Sequence, residues 1–389
     1  MDIKDKKIGV IGGGTAGALT AFTLSKLSNA NVDLYLDTNI KPQSVGEGAN
    51  YFLASEIKSK NYFDESFLKK IGGTKKFGIN KIDFSDREEF MHEFQFGNYS
   101  LHFDSEKLRN YILNDYPLIN VIEKNVKSFD DIDADFKWDC SGFPDINEND
   151  FHIMKGIPVN SSYITQCYWD EPRFEHTNTV AMEHGWVFMV PLQNRCSVGY
   201  LYNSSISSEA EVVEDVKNIF KRFNLTPSKE TNSVSFSNYY RKENFTWNTG
   251  YNGNASFFAE PLEATTIGNV ITTAYSSMHI LFNPAHATTM NAKYVKTQKE
   301  TEVMIAFNYL MGSKHKSKFW EFAKNNSEEF LKENIDKEKL KEILHFYENV
   351  KNNTYYSAMK DPNYGTWPGS SWYQNINGFN AYDKLKSFL

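Results

Sequence analysis

The chain has 389 residues, a net charge of −7 and no basic block, which excludes a surface built for the nucleic-acid backbone. An apolar fraction of 40% with an aromatic share of 15% suffices for one large domain or two interleaved ones, with rings available to line a pocket. No apolar run reaches the roughly 18 residues of a membrane span, and the three cysteines, Cys140, Cys167 and Cys196, are widely spaced, with neither metal-ligand spacing nor an even-numbered disulfide framework.

The chain opens almost directly on a β-branched run, Lys7 to Ile11. The expectation is therefore a protein without a secretory leader, in a reducing, cytoplasmic setting. Gly12, Gly14 and Gly17 follow at once, and then a helix-forming stretch, Ala18 to Leu27. Strand, tight turn and helix is the order a dinucleotide fold requires. Gly12 allows the turn, Gly14 lets the backbone approach a diphosphate, and Gly17 lets the helix pack on the strand. The diphosphate would lie on the helix N-terminus, where free N–H groups and the dipole favour an anion. A second strand, Val32 to Leu36, ends in Asp37, at the spacing where an acid binds a ribose hydroxyl.

A glycine-broken loop, Ser44 to Asn50, then leads into a helical stretch, Tyr51 to Lys60. Residues 61 to 100 mix charge and rings with weak periodicity. Leu108 to Leu113 reads as helical, with His102-Phe103-Asp104 just ahead placed to cap it. Phe136 to Phe143 reads as a buried strand ending in a small-residue turn. From about 155 to 250 the composition favours strands, at Val180 to Met182, Gly185 to Val190 and Cys196 to Tyr202. A helix is expected at Glu209 to Phe223. Lys296 to Val350 is mainly helical, and Asp361 to Phe379 reads as a loop-rich tail carrying Trp367 and Trp372. No second glycine turn follows a strand, so no NAD(P)H domain is expected.

Several segments, taken in order, resemble the flavin-dependent halogenases of the tryptophan-halogenase type. Val45-Gly46-Glu47-Gly48-Ala49 resembles that family's G-V-G-E-A-T loop. Thr74-Lys75-Lys76-Phe77-Gly78-Ile79 resembles T-F-K-L-G-I. Asp139-Cys140-Ser141-Gly142-Phe143 matches D-C-S-G-F. Gly185-Trp186-Val187-Phe188-Met189-Val190-Pro191-Leu192 resembles G-W-x-W-x-I-P-L. Glu260-Pro261-Leu262-Glu263-Ala264-Thr265-Thr266-Ile267 resembles E-P-L-E-S-T-G-I, and Phe319-Trp320 stands at an F-W pair.

The resemblance implies a mixed α/β flavoprotein of the GR2 type, with a Rossmann-like FAD domain, an interleaved antiparallel sheet and C-terminal helices. FAD segments are expected near 1–60, 100–155 and 245–300, substrate-side segments near 61–99 and 156–244, and a helical part with a lid over 301–389. FAD contacts are implied for Gly12, Gly14, Thr15, Ala16, Gly17, Asp37, Gly46, Glu47, Ala49, Asp139, Gly253, Asn254 and Ile267. Asn254 replaces the usual aspartate and keeps an acceptor for the ribityl chain.

The chemistry implied is halogenation. Hypohalous acid forms at the reduced flavin from oxygen and halide, and travels to an aromatic substrate held apart. Lys76 is the implied catalytic lysine, with Lys75 as its neighbour in the alternative alignment; read alone, either is an ordinary surface lysine. Glu263 is the implied proton acceptor, while in isolation it reads as a cap or first-turn acid of the following helix. Backbone N–H groups at Thr265 and Thr266 would hold chloride, bromide or iodide. Thr266 replaces a glycine, so an αL backbone there would be strained. Trp186, Phe188 and Pro191 form the implied barrier between flavin and substrate. Phe94 and Phe96 occupy the substrate stretch, where free tryptophan fits poorly. The chain is also shorter than tryptophan-binding members, mostly toward the lid, which implies a more open pocket. A separate flavin reductase is the implied partner, and a homo-oligomer stays open. Two other readings share the cofactor: an aromatic monooxygenase, which needs neither Lys76 nor Trp186, and a flavin-binding protein without halogenation.

Overall fold

The computed structural model describes residues 5–40, 46–49, 53, 56–57, 65–94, 98–354 and 361–389. The chain divides into two compact units. The first is Met1–Lys76, Tyr99–Ile153 and Tyr239–Lys296; the second is Phe77–Asn98, Met154–Asn238 and Thr297–Leu389. The stretch up to Lys76 thus clusters with the dinucleotide segments, and the C-terminal helices cluster with the strand-rich middle.

Among the described residues, the first unit is built on a five-stranded sheet in the order Thr249–Tyr251, Phe136–Asp139, Ile8–Ile11, Val32–Leu36, Ile119–Glu123. All neighbours run parallel. Ile8–Ile11 is central and buried at every position, as a strand covered on both faces requires. The helix Thr15–Ser28 connects it to Val32–Leu36, and buries Leu19, Phe22 and Leu24. Helices Ser105–Asp115 and Thr265–Phe282 pack on that helix. The Ser105 helix begins as expected, with the Asp104 carboxylate accepting from the Lys107 N–H.

Two small antiparallel sheets complete this unit. In one, Ser100–Asp104 lies between Gly46–Gly48 and Thr74–Lys76. Gly46 to Gly48 is therefore strand rather than the expected loop, because Asp104 to His102 supplies a paired edge that no local sequence signal announces. In the other, Tyr239–Arg241 lies between Phe151–Ile153 and Phe257–Phe258. Of the helix expected over Tyr51 to Lys60, Leu53, Glu56 and Ile57 are helical and the remainder lies outside the described residues.

The second unit holds a seven-stranded sheet, ordered Thr226–Ser235, Ser161–Tyr168, Arg195–Tyr202, Gly185–Pro191, Thr177–Met182, Gly78–Ile82, Glu89–Glu93. The pleat sorts side chains by parity. Val180, Val187, Met189, Val198 and Tyr200 form one core with Val212, Val216 and Ile219 of the helix Glu209–Arg222. That helix starts in a capping box between Ser208 and Glu211. Cys167 and Cys196, far apart in sequence, are direct cross-strand partners in this core; both are free thiols, and burial pushes both thiols upward.

The expected loop-rich tail is a correction. Asn363–Tyr364 and Trp367–Pro368 form a short hairpin, and Gly369–Phe379 is a helix. Its Gly-Ser-Asn content reads as turn chemistry. Burial of Trp372, Ile376 and Phe379 on one helical face overrides that signal. No helix among the described residues is long and apolar enough to cross a membrane.

Candidate active site

The glycine turn of the first unit is walled on three sides. A Cβ at Gly12, whose φ is +116°, would lie 2.3 Å from the Cys140 carbonyl oxygen. One at Gly13 would meet Leu36 at 2.7 Å, and one at Gly17 would meet the Gly12 carbonyl at 1.8 Å. At Gly14 it would meet nothing within 4 Å. Gly14 is also the N-cap of the helix Thr15–Ser28, and no side chain caps that end. The turn is thus closed where the fold needs contact and open where a diphosphate would meet the backbone amides of Thr15 and Ala16.

Other expected cofactor residues converge on this turn. Gly253, with φ +58°, approaches so closely that its missing Cβ would sit 2.4 Å from the Ala16 Cβ. Asn252 holds that approach: its N–H donates to the Asp139 carbonyl (2.9 Å), and its amide donates to Thr20 Oγ1 and the Val270 carbonyl (2.9 Å each). Asp139 accepts from the Ser141 N–H at 2.9 Å. Asn254 stays partly exposed, with its carbonyl held by the Tyr239 hydroxyl at 2.6 Å. Glu47 accepts from Ser105 Oγ (2.6 Å) and Thr15 Oγ1 (3.5 Å). Burial raises its carboxyl, while the two hydroxyls pull it back down. Asp37 accepts from Asn39 and Asn125, which hold its carboxylate below the usual range. Ala49 and Ile267 are buried. These residues fit a dinucleotide: an open amide cradle, a glycine-enforced approach and an acid at the end of the second strand.

Lys76 ends the strand Thr74–Lys76 and is 1% exposed, whereas Lys75 is half-buried with its ammonium over the Tyr99 ring. Among the described residues, no hydrogen bond or ion pair closes on the Lys76 Nζ. Burial pulls its pKa down to about 8, partly offset by the Glu263 carboxylate. Glu263 is 6% exposed and ends a 3-10 turn, Pro261–Glu263. It does not cap the helix that follows, which has no side-chain cap. Glu260 is fully buried.

Ala264 is the N-cap of the helix Thr265–Phe282 and sits in the left-handed region, at φ 52° and ψ 39°. The strain expected at Thr266 therefore falls two residues earlier. Thr266 lies within the first helical turn, where a side chain costs nothing special. Thr265 Oγ1 is buried without a hydrogen-bond partner among the described residues. An uncapped helix start with a buried, unsatisfied hydroxyl suits a small anion.

In the second unit, Trp186 is fully buried and donates from Nε1 to the Tyr309 hydroxyl at 2.9 Å. The Phe188 ring lies on Gly199, where any Cβ would meet it at 2.2 Å. Pro191 is buried and ends the same strand. Phe94 is partly buried, and its N–H donates to the Phe77 carbonyl at 2.9 Å. Phe96 lies outside the described residues. Trp367 and Trp372 are packed edge-to-face at 5.1 Å, both buried.

Two features escaped the sequence reading. Lys81 is fully buried, bonded to the amide oxygens of Asn308 and Asn375. Its only sequence signal is a charge at a core-parity position of a strand. Arg109 donates to the Gly13 carbonyl at 3.3 Å, a contact no motif marks.

The tryptophan halogenase family description matches residues 7–117 and 119–385. Tryptophan 7-halogenase KtzQ of Kutzneria sp. (strain 744) is 24% identical over 218 residues, covering 51% of this chain and 40% of KtzQ. Tryptophan 7-halogenase RebH of Lentzea aerocolonigenes is 26% identical over 202 residues, covering 48% of this chain and 38% of RebH. The matched region thus spans about two fifths of these curated relatives. Among solved structures, Xcc4156, a flavin-dependent halogenase from Xanthomonas campestris, superposes with a TM-score of 0.78 at 17% identity, covering 98% of this chain and 93% of the other. That likeness establishes the fold, mixed α/β with parallel and antiparallel sheets. Because the family match runs through nearly every described element, from the first strand to the last helix, the chain belongs to the tryptophan halogenase family.

Proposed function

We propose that this protein is an FADH2-dependent halogenase that transfers an electrophilic halogen to an electron-rich aromatic ring, an indole or a phenol. The observation that carries the reading is Lys76: a buried ammonium without a hydrogen bond among the described residues, with the Glu263 carboxylate as the charge acting on it. The dinucleotide turn of the same unit supports FAD as the cofactor, and a separate reductase supplies it reduced.

Reduced FAD, when bound, supplies the electrons that convert oxygen and halide to hypohalous acid. The residues then have three tasks. The Thr265 and Thr266 amides, at the uncapped helix start, hold the halide. The Lys76 ammonium donates a hydrogen bond to the oxygen of hypohalous acid, and its proton follows as the oxygen–halogen bond breaks, so water leaves. The new carbon–halogen bond leaves a cationic ring, which Glu263 stabilises and then deprotonates. Proton return from Glu263 to Lys76 closes the cycle.

The test supplies the full chain with reductase-generated FADH2, oxygen and chloride, bromide or iodide, with a panel of phenols and indoles. A halogen mass shift is expected with at least one halide. Hydroxylated product, or no product with any halide, overturns the reading.

A further inference from the structure

We infer that Arg109 is an electrostatic anchor for the diphosphate of the bound dinucleotide, reaching the glycine turn from a different helix. The inference rests on the reading that the first unit binds FAD. Arg109 lies in the helix Ser105–Asp115, and its Nη1 donates to the Gly13 carbonyl at 3.3 Å. That carbonyl immediately precedes Gly14, the one open position of the turn. The guanidinium is thus fixed beside the uncapped amides of the helix Thr15–Ser28.

Among the described residues, Arg109 makes no ion pair; its remaining bonds, from Nε (3.2 Å) and Nη2 (2.8 Å), go to the neutral Asn110 Oδ1. One N–H on each terminal nitrogen stays available, in the planar fork that matches phosphate oxygens. The first turn of the Thr15 helix carries no acid that would repel an anion. The nearby Glu47 carboxylate is turned to the hydroxyls of Ser105 and Thr15. The anchor is also preorganised. Asp104 caps its helix, and that helix packs on the Thr15 helix, so the side chain has little freedom left to lose on binding.

A role confined to propping the turn would need the Gly13 hydrogen bond but not the charge. Arg109→Gln separates the two, because it keeps a donor and removes the cation. FAD affinity of the full chain is measured by flavin-fluorescence titration over a series of salt concentrations, for the natural chain, Arg109→Gln and Arg109→Lys, with melting temperatures alongside. Arg109→Gln is expected to bind FAD roughly ten- to a hundredfold more weakly, with a shallower salt dependence. Arg109→Lys is expected to lie between, with the natural salt dependence. FAD affinity of Arg109→Gln within twofold of the natural chain overturns the inference. So does a loss of affinity with unchanged salt dependence, which assigns Arg109 to positioning of the turn alone. If Arg109→Gln does not fold, Arg109→Lys decides: an unchanged affinity supports a charge-only anchor, and a salt-independent loss overturns it. A natural chain that binds no FAD overturns the dinucleotide reading itself, and the anchor with it.

Discussion

Lys76 and Lys81 stand on consecutive strands, and both are buried, at 1% and 0% exposure. Their surroundings differ in kind. Lys81, in the second unit, is bonded to Asn308 Oδ1 and to Asn375 Oδ1 at 2.8 Å, and its ammonium faces the rings of Phe90, Trp367 and Phe379 at 5.9, 5.3 and 5.1 Å. Amide dipoles and ring faces replace the water it lost. Lys76, in the first unit, receives no such replacement from the described residues, and burial lowers its pKa to about 8. Burial alone therefore does not set the state of a lysine: Lys81 is bonded in place, whereas Lys76 keeps an unrelieved desolvation cost among the described residues.

The largest effect that tests this contrast is on activity. Lys76→Met is expected to lower the rate of halogenated product formation roughly 10²- to 10⁴-fold, the range for a lost proton donor, with FAD binding intact. The contrast breaks if Lys81→Met causes the same loss while the Lys76 variant stays active.

The second effect is on stability, and it should carry opposite signs. Lys81→Met orphans two buried amide oxygens and is expected to cost about 2–4 kcal/mol in denaturant unfolding. Lys76→Met removes a charge that folding had to desolvate. A pKa lowered from 10.5 to about 8 corresponds to a cost on the order of 3 kcal/mol at neutral pH. That variant should therefore melt a few degrees higher.

The pH dependence follows from the same shift. The folded chain holds fewer protons on Lys76 than the unfolded chain between about pH 8 and 10.5. The penalty is complete below pH 8 and fades as pH rises through that window. The stability difference between Lys76→Met and the natural chain should shrink accordingly. Product formation should fall as pH passes above about 8, because the reactive form is the ammonium. A rate that climbs up to pH 8 would instead assign the reaction to the neutral amine.

The smallest effect concerns the helix start. Ala264→Gly relieves a left-handed alanine and is expected to stabilise by about 0.5–1 kcal/mol in thermal unfolding. Thr266→Gly, by contrast, should bring no gain, since Thr266 is already helical.

Much of the first unit was legible in the chain. The β-branched run, the glycines at 12, 14 and 17, Asp37 and the Asp104 cap are local devices, whose backbone geometry is dictated by the residues that adopt it. β-type composition with turns between likewise pointed to strands at Val180 to Met182, Gly185 to Val190 and Cys196 to Tyr202, and the helix expected at Glu209 to Phe223 spans Glu209–Arg222. Three features were not legible because they depend on distant partners. Gly46 to Gly48 became strand only through its pairing with Asp104 to His102. The Gly369–Phe379 helix exists because Trp372, Ile376 and Phe379 find a core, against the preference of its own glycines, serines and asparagines. Thr266 escaped the strain that sequence assigned to it, because the turn placed the left-handed residue at Ala264.

The sequence by itself determined the dinucleotide turn and the order of motifs that identifies the family, since both rest on short-range backbone chemistry. Only the tertiary structure decided which lysine is bonded in place and which is left desolvated. Lys75, Lys76 and Lys81 carry the same ammonium. What separates them is the set of groups the fold brings to each: a half-buried ring for Lys75, amides and rings for Lys81, and a desolvated space with the Glu263 carboxylate acting on it for Lys76.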